Sequence, residues 1–205
     1  INLPGGSETL SKSYRVPRQV HQIAEGVVRR ITRRFPKRYE PKDEPGNVTR
    51  IDTITGLDMS QGTWLILSQA GYQLNPVAAD LRSSGYLFNY RGHRSISEKI
   101  SEAVNGWEQM RQGKEITGDV ARKIYSFMSI GDRVKRGFKK LPSLQDDDLV
   151  SMADLTDRHG LLATDVMLWS EAMNKLPETD RAYITALLRR KEKFNGIPRI
   201  TASTI

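Results

Sequence analysis

The chain has 205 residues, 38% hydrophobic and 27% charged, which supplies enough apolar material for one or two domains with real cores and excludes a mainly disordered chain. Lys and Arg outnumber Asp and Glu by 32 to 24, a formal charge of +8, so a polyanion is the expected macromolecular partner. Cysteine is absent, which excludes disulfides, thiolate metal sites and a cysteine nucleophile and fits a reducing, cytoplasmic setting.

No apolar run reaches the ~18 to 20 residues of a membrane span, and the opening residues lack the basic-then-apolar pattern of a signal peptide, so no membrane partner is expected. Ile1 in place of Met, and Ile205 inside an apolar-alternating stretch, read as the ends of a piece of a longer protein.

Pro17 to Arg34 reads as a helix: Val20, Ile23, Ala24, Val27, Val28 and Ile31 recur at helical spacing and are expected to form one buried face. Pro17 suits the first turn, and Pro36 and Pro41 end the segment. Arg29, Arg30, Arg33, Arg34, Lys37 and Arg38 make its other face basic, either simply solvated or set against phosphate.

Gly46 to Ile54 is expected to form a short strand. Thr63 to Ser68, with its run Trp64-Leu65-Ile66-Leu67, predicts a strand covered on both sides. Asn75 and Pro76 open a second amphipathic helix in which Leu74, Val77, Ala78 and Leu81 share a face and which Gly85 closes. Strand, helix and strand in alternation predict a parallel sheet with crossovers over the first ninety residues.

From about Ser95 the pattern is helical, with no strand expected until the end. Ile96, Ile100, Ala103, Val104 and Trp107 mark one helix, and Val120, Ile124, Phe127 and Met128 a second. Trp169, Ala172, Met173 and Leu176 mark a third, and Ile184, Leu187 and Leu188 a fourth. These stripes read as core, because a helix of a small domain is stable only when such a face is buried. Pro198 to Ile205 returns to strand through Ile200, Ala202 and Thr204. The expected organisation is an α/β part at residues 1–90, a helical insertion at 91–196 and a return strand at 197–205.

No self-sufficient active site is legible. The phosphate loop G-x-x-x-x-G-K-[ST] does not occur; Gly113-Lys114-Glu115 lacks its hydroxyl residue and first glycine and falls within a helical pattern. His21, His93 and His159 stand too far apart for a zinc-ligand spacing, and His21 reads as a surface residue. Asp146, Asp147 and Asp148 are adjacent, so their carboxylates diverge and are expected to solvate a loop rather than hold a metal. What stands out is Leu10-Ser11-Lys12-Ser13-Tyr14-Arg15-Val16-Pro17, where an aromatic face and a guanidinium fork sit at the mouth of a helix, the two groups that recognise a base and a phosphate. Such dipeptides are common, and this chain has another at Tyr90-Arg91, so by itself the pair reads as an ordinary surface feature rather than a site.

Leu10 to Pro17, the basic helix after it, and Pro41 and Gly46 beyond resemble helicase motif IV and its surroundings in superfamily 1 DNA helicases of the UvrD/Rep kind. Trp64 to Leu67, the Gly71-Tyr72-Gln73-Leu74 turn and the Val77 to Gly85 helix are similar to the next strand and helix of that family's second motor domain. Arg199 to Ile205 resembles the strand leading into motif V. The likeness covers residues 1 to about 90 and 197 to 205, with the intervening segment in the position of the family's 2B insertion.

The resemblance implies a partial RecA-like parallel-sheet domain (2A) interrupted by an all-α insertion (2B), from an ATP-dependent helicase of a bacterial or phage-infected cell. It implies that Tyr14 stacks on the adenine of ATP, that Arg15 reaches the γ-phosphate, and that Thr204 lies by a single-stranded DNA backbone. Mg2+ with ATP would be held mainly by residues outside this chain, which is expected not to hydrolyse ATP alone. Ser13 stands where the family more often has Asn.

A second basic cluster, Arg133, Lys135, Arg136, Lys139 and Lys140, has no acidic residue between its members, and is expected either to contact duplex DNA phosphates or to be a solvated face. Arg189, Arg190, Lys191 and Lys193 read as an ordinary helix C-terminus. Two readings of other classes stay open: a stand-alone DNA-binding module and a helical protein-interaction domain.

Overall fold

The structure is a computed structural model that describes residues 11–34, 38–194 and 196–205. Leu10, Pro36 and Lys37 of the sequence patterns lie outside the described residues. The chain divides into two units, Ile1–Thr53 and Ile54–Ile205.

In the first unit, strand β1 (Lys12–Pro17) pairs parallel with β2 (Glu40–Lys42), and helix α1 (Arg18–Val28) connects them. The helix is shorter than its periodicity predicts. It closes at Arg29, whose N–H donates to the Glu25 carbonyl at 2.9 Å, just where Arg29, Arg30, Arg33 and Arg34 crowd like charges together. Its predicted buried face is not buried: no residue of α1 is, and Val20, Ile23, Val27, Val28 and Ile31 are all exposed. The strand expected at Gly46 to Ile54 is absent. Gly46 sits at φ +67°, outside strand geometry, and abuts Pro17 so closely that an added Cβ would lie 2.5 Å from the Pro17 Cβ.

The second unit is a mixed α/β fold around a four-stranded sheet of order β3-β8-β4-β5, formed by β3 (Trp64–Ser68), β4 (Phe88–Tyr90), β5 (His93–Arg94) and β8 (Ile200–Thr204). Strand β8 runs parallel to both β3 and β4, while β5 returns antiparallel to β4. Helix α2 (Leu74–Ser83) crosses between β3 and β4, and Gly85 at φ +70° ends it as the sequence predicts. The predicted two-sided cover of β3 does not hold: β3 is an edge strand whose Trp64 and Ile66 pack against the core, leaving Leu65 64% and Leu67 52% exposed.

Between β5 and β8 run α3 (Glu98–Arg111), α4 (Gly118–Ser126), α5 (Met152–Arg158), α6 (Trp169–Ala172) and α7 (Glu178–Arg189). A two-stranded antiparallel pair, β6 (Ile116–Thr117) with β7 (Leu149–Val150), interrupts the expected all-helical stretch. Each of α3, α4 and α5 opens on a hydroxyl cap: Ser97, Thr117 and Ser151 accept the N–H of Ile100, Val120 and Asp154. Gly113 is not helical; at φ +77° it forms the turn that ends α3.

One hydrophobic core serves both the sheet and the helices, running from Met59, Leu81 and Phe88 through Trp107, Ile124, Leu155 and Ile184 to Ile200. The Trp107 indole N–H finds the Met167 carbonyl at 3.0 Å, so its burial leaves no donor unpaired. Among the described residues, no helix is long and apolar enough to cross a membrane.

Candidate nucleotide and nucleic-acid sites

The Tyr14-Arg15 pair lies on a bulge. Along β1 the register advances from Lys12 to Pro17 while β2 advances only from Glu40 to Lys42, so the residues between are thrown out of the ladder. Ser13 organises the bulge: its side chain is turned inward, and its Oγ accepts the N–H of Val16 at 3.1 Å and of Arg15 at 3.3 Å. The hydroxyl thus supplies the local acceptor at the position where the helicase pattern more often has Asn. As a result Tyr14 is 77% exposed, with the Lys12 ammonium 5.7 Å from its ring centre. Arg15 is exposed as well, and no ion-pair partner is found for it among the described residues.

His21, on α1, stacks against Tyr39 with ring centres 6.0 Å apart, beside a shallow cavity that also takes in Arg29 and Arg34. Arg18 is tied to Asp43 at 2.7 Å, which spends one of the helix's cations on its own unit.

In the second unit the carboxyl ends of three parallel strands lie side by side. Thr204 is in register with Ser68, the Ile205 N–H donates to the Ser68 carbonyl at 3.1 Å, and the Arg91 N–H donates to the Ala202 carbonyl at 2.9 Å. This edge of an open parallel sheet is where α/β folds place ligands. Thr204 is exposed on it, as is the Tyr72 ring in the loop after β3. The Tyr90 hydroxyl is held by the Asn75 carboxamide at 2.7 Å.

The basic cluster at 133–140 lies on an irregular loop rather than a helix, and it divides. Arg133 turns inward, donating to the Glu171 carbonyl at 3.1 Å and facing Asp132 at 3.6 Å. The Lys139 ammonium caps the end of α4 by donating to the Tyr125 and Met128 carbonyls. Burial, with Lys175 and Lys99 nearby, pushes its pKa below the ordinary lysine value. Lys135, Arg136 and Lys140 are exposed.

Other sequence candidates serve the fold. Asp146 pairs with Arg122, and the Asp148 carboxylate accepts the Gln145 N–H at 2.7 Å. Arg190 covers the Tyr86 ring at 3.9 Å. Sequence reasoning missed the guanidinium of Arg94, which donates to the Phe194 and Gly196 carbonyls, because nothing local announces a contact across so long a stretch of chain.

Comparison with protein-family models, with curated proteins and with solved structures gives no match to this chain.

Proposed function

We propose that the chain is part of an ATP-driven DNA helicase of superfamily 1, contributing a RecA-like second motor domain interrupted by a helical insertion. The observation that carries this reading is the position of β8. After a helical excursion from α3 to α7 the chain re-enters the sheet between β3 and β4, parallel to both, which is how an insertion in an α/β motor domain would close.

The exposed bulge at Tyr14 and Arg15 fits one wall of a nucleotide cleft, offering a flat ring for adenine and an exposed guanidinium for a phosphate. With Mg2+ and ATP held mainly by a phosphate loop that this sequence does not contain, Arg15 would meet the charge that develops on the γ-phosphate, the role for which an arginine is worth about 10³ to 10⁵ in rate in well-known nucleotide hydrolases. Thr204 and its neighbours on the carboxyl edge would follow a single strand, and Lys135, Arg136 and Lys140 would meet duplex phosphates. Closing on ATP would then change the grip on DNA through differential contacts in the open and closed states.

Crosslinking tests the nucleotide wall. In the protein that carries this chain, a photoactivatable adenine nucleotide should label the peptide containing Tyr14, and Tyr14→Ala should remove the label. Labelling confined to other peptides would contradict the assignment.

A further inference from the structure

The hairpin between β4 and β5 turns on Arg91 and Gly92, both at positive φ, 49° and 84°, with Tyr90 paired to His93 across it. That is the geometry of a type I′ turn, whose first position favours Asn, Asp or Gly, so arginine sits there against its backbone preference. The turn folds the Arg91 side chain back over Gly71, where an added Cβ would lie 3.4 Å from the guanidinium carbon. Arg91 also helps to wall a cavity of about 510 Å³, shared with Arg82 from α2, Tyr90 from β4, His93 and Arg94 from the returning strand and Ser95 just beyond it.

Among the described residues, no carboxylate lines this cavity. Arg82 is paired with Asp180 at 2.6 Å, and the Arg94 guanidinium turns to the Phe194 and Gly196 carbonyls, where Arg94 also lines a second cavity with Glu98 and Glu102. Arg91 and His93 have no side-chain hydrogen bond or ion pair among the described residues. The volume suits a small ligand, and the combination of the Arg91 fork and the His93 imidazole with an aromatic wall suits a phosphate attached to a ring.

We propose that this cavity is a phosphate-binding site, in which Arg91 and His93 grip a phosphoryl group and Tyr90 flanks the ring next to it. The group is carried either by a free nucleotide or by a DNA strand. The site lies wholly within the second unit and stands or falls apart from the motor reading.

The test uses the full chain with two probes, adenosine monophosphate and oligothymidylate, each titrated with and without inorganic phosphate as competitor. Arg91→Gly is the decisive variant, because glycine is at ease at this positive φ and the melting temperature should hold or rise while the charge is lost. Arg91→Gly and His93→Gln should each weaken binding by about tenfold or more, the scale of a lost charge-assisted hydrogen bond. Sensitivity seen with the monophosphate assigns a nucleotide ligand, and sensitivity seen only with oligothymidylate assigns a DNA phosphate. Failure of the wild-type chain to bind either probe, or binding that neither substitution changes, would overturn the site.

Discussion

Arg82 on α2 and Asp180 on α7 are joined at 2.6 Å, and the same guanidinium lies 4.3 Å from the centre of the Tyr183 ring. A second arm of Arg82 donates to the Ser95 carbonyl at 2.9 Å, so one side chain ties the crossover helix to the last helix before β8. Both partners are about 30% exposed, at 31% and 29%, which leaves the pair only partly screened. Asp180→Ala should lower stability by about 1–2 kcal/mol, since it leaves a half-buried guanidinium short of one charged partner. Denaturant unfolding of the two proteins measures this, and an unchanged midpoint would show that the pair adds nothing.

The same junction depends on a glycine. Gly85 combines φ +70° with a site where a Cβ would lie 2.4 Å from the Ala186 carbonyl oxygen, a backbone atom of α7 that cannot step aside alone. Gly85→Ala should therefore destabilise the second unit by about 2–4 kcal/mol, through backbone strain and forced separation of α2 from α7. Thermal unfolding followed by circular dichroism reads this directly, and a wild-type melting temperature would refute the close approach.

Alkaline pH should loosen the packing of α7 in a defined window. Burial pushes the Tyr183 hydroxyl from its ordinary value near 10 up to about 12, against the opposing effects of its Ser95 hydrogen bond and of Arg82. The folded state holds this proton more tightly than the unfolded chain, so its contribution is complete below pH 10 and is lost as pH rises towards about 12. The loss attributable to this residue is roughly 2–3 kcal/mol. Denaturation midpoints measured across that range should fall less steeply in Tyr183→Phe than in the wild-type chain; parallel slopes would contradict the assignment.

What the sequence made legible was mostly local. The Gly85 stop of α2, the Trp107 stripe of α3 and the alternation of β8 each depend on near neighbours, and each stands where the pattern puts it, whereas α2 opens at Leu74, ahead of the expected Asn75-Pro76 start. Burial was less legible, because an apolar side chain in the sequence does not say whether a partner faces it. Leu65 and Leu67 read as core and lie on the open face of an edge strand, and the apolar stripe of α1 is exposed within its own unit. Strand β1 was missed for a different reason: it pairs through a bulge with a distant three-residue strand and shows no two-residue alternation. The Tyr14-Arg15 pair was visible as a motif, while the device that displays it, an inward serine hydroxyl holding a bulge, needed coordinates.

The division of the basic loop yields a contrast. Alanine at Lys135, Arg136 or Lys140 should leave stability unchanged, and each of these substitutions that frees a DNA phosphate should lower the slope of log affinity against log salt by about one. Lys139→Ala should do the reverse, costing about 1–2 kcal/mol by stripping the donor from two helix-end carbonyls while leaving the salt slope intact. Duplex binding measured over a range of salt, beside melting temperatures, separates the two classes; a larger drop in slope from Lys139→Ala than from Arg136→Ala would show that the loop is used differently.

The bulge presents Arg15, on the proposed reading, to the γ-phosphate of ATP. In the protein that carries this chain, Arg15→Ala should reduce DNA-stimulated ATP hydrolysis by about 10³-fold or more, with affinity for oligothymidylate in the absence of nucleotide unchanged. ATP hydrolysis at the wild-type rate in Arg15→Ala would contradict the account.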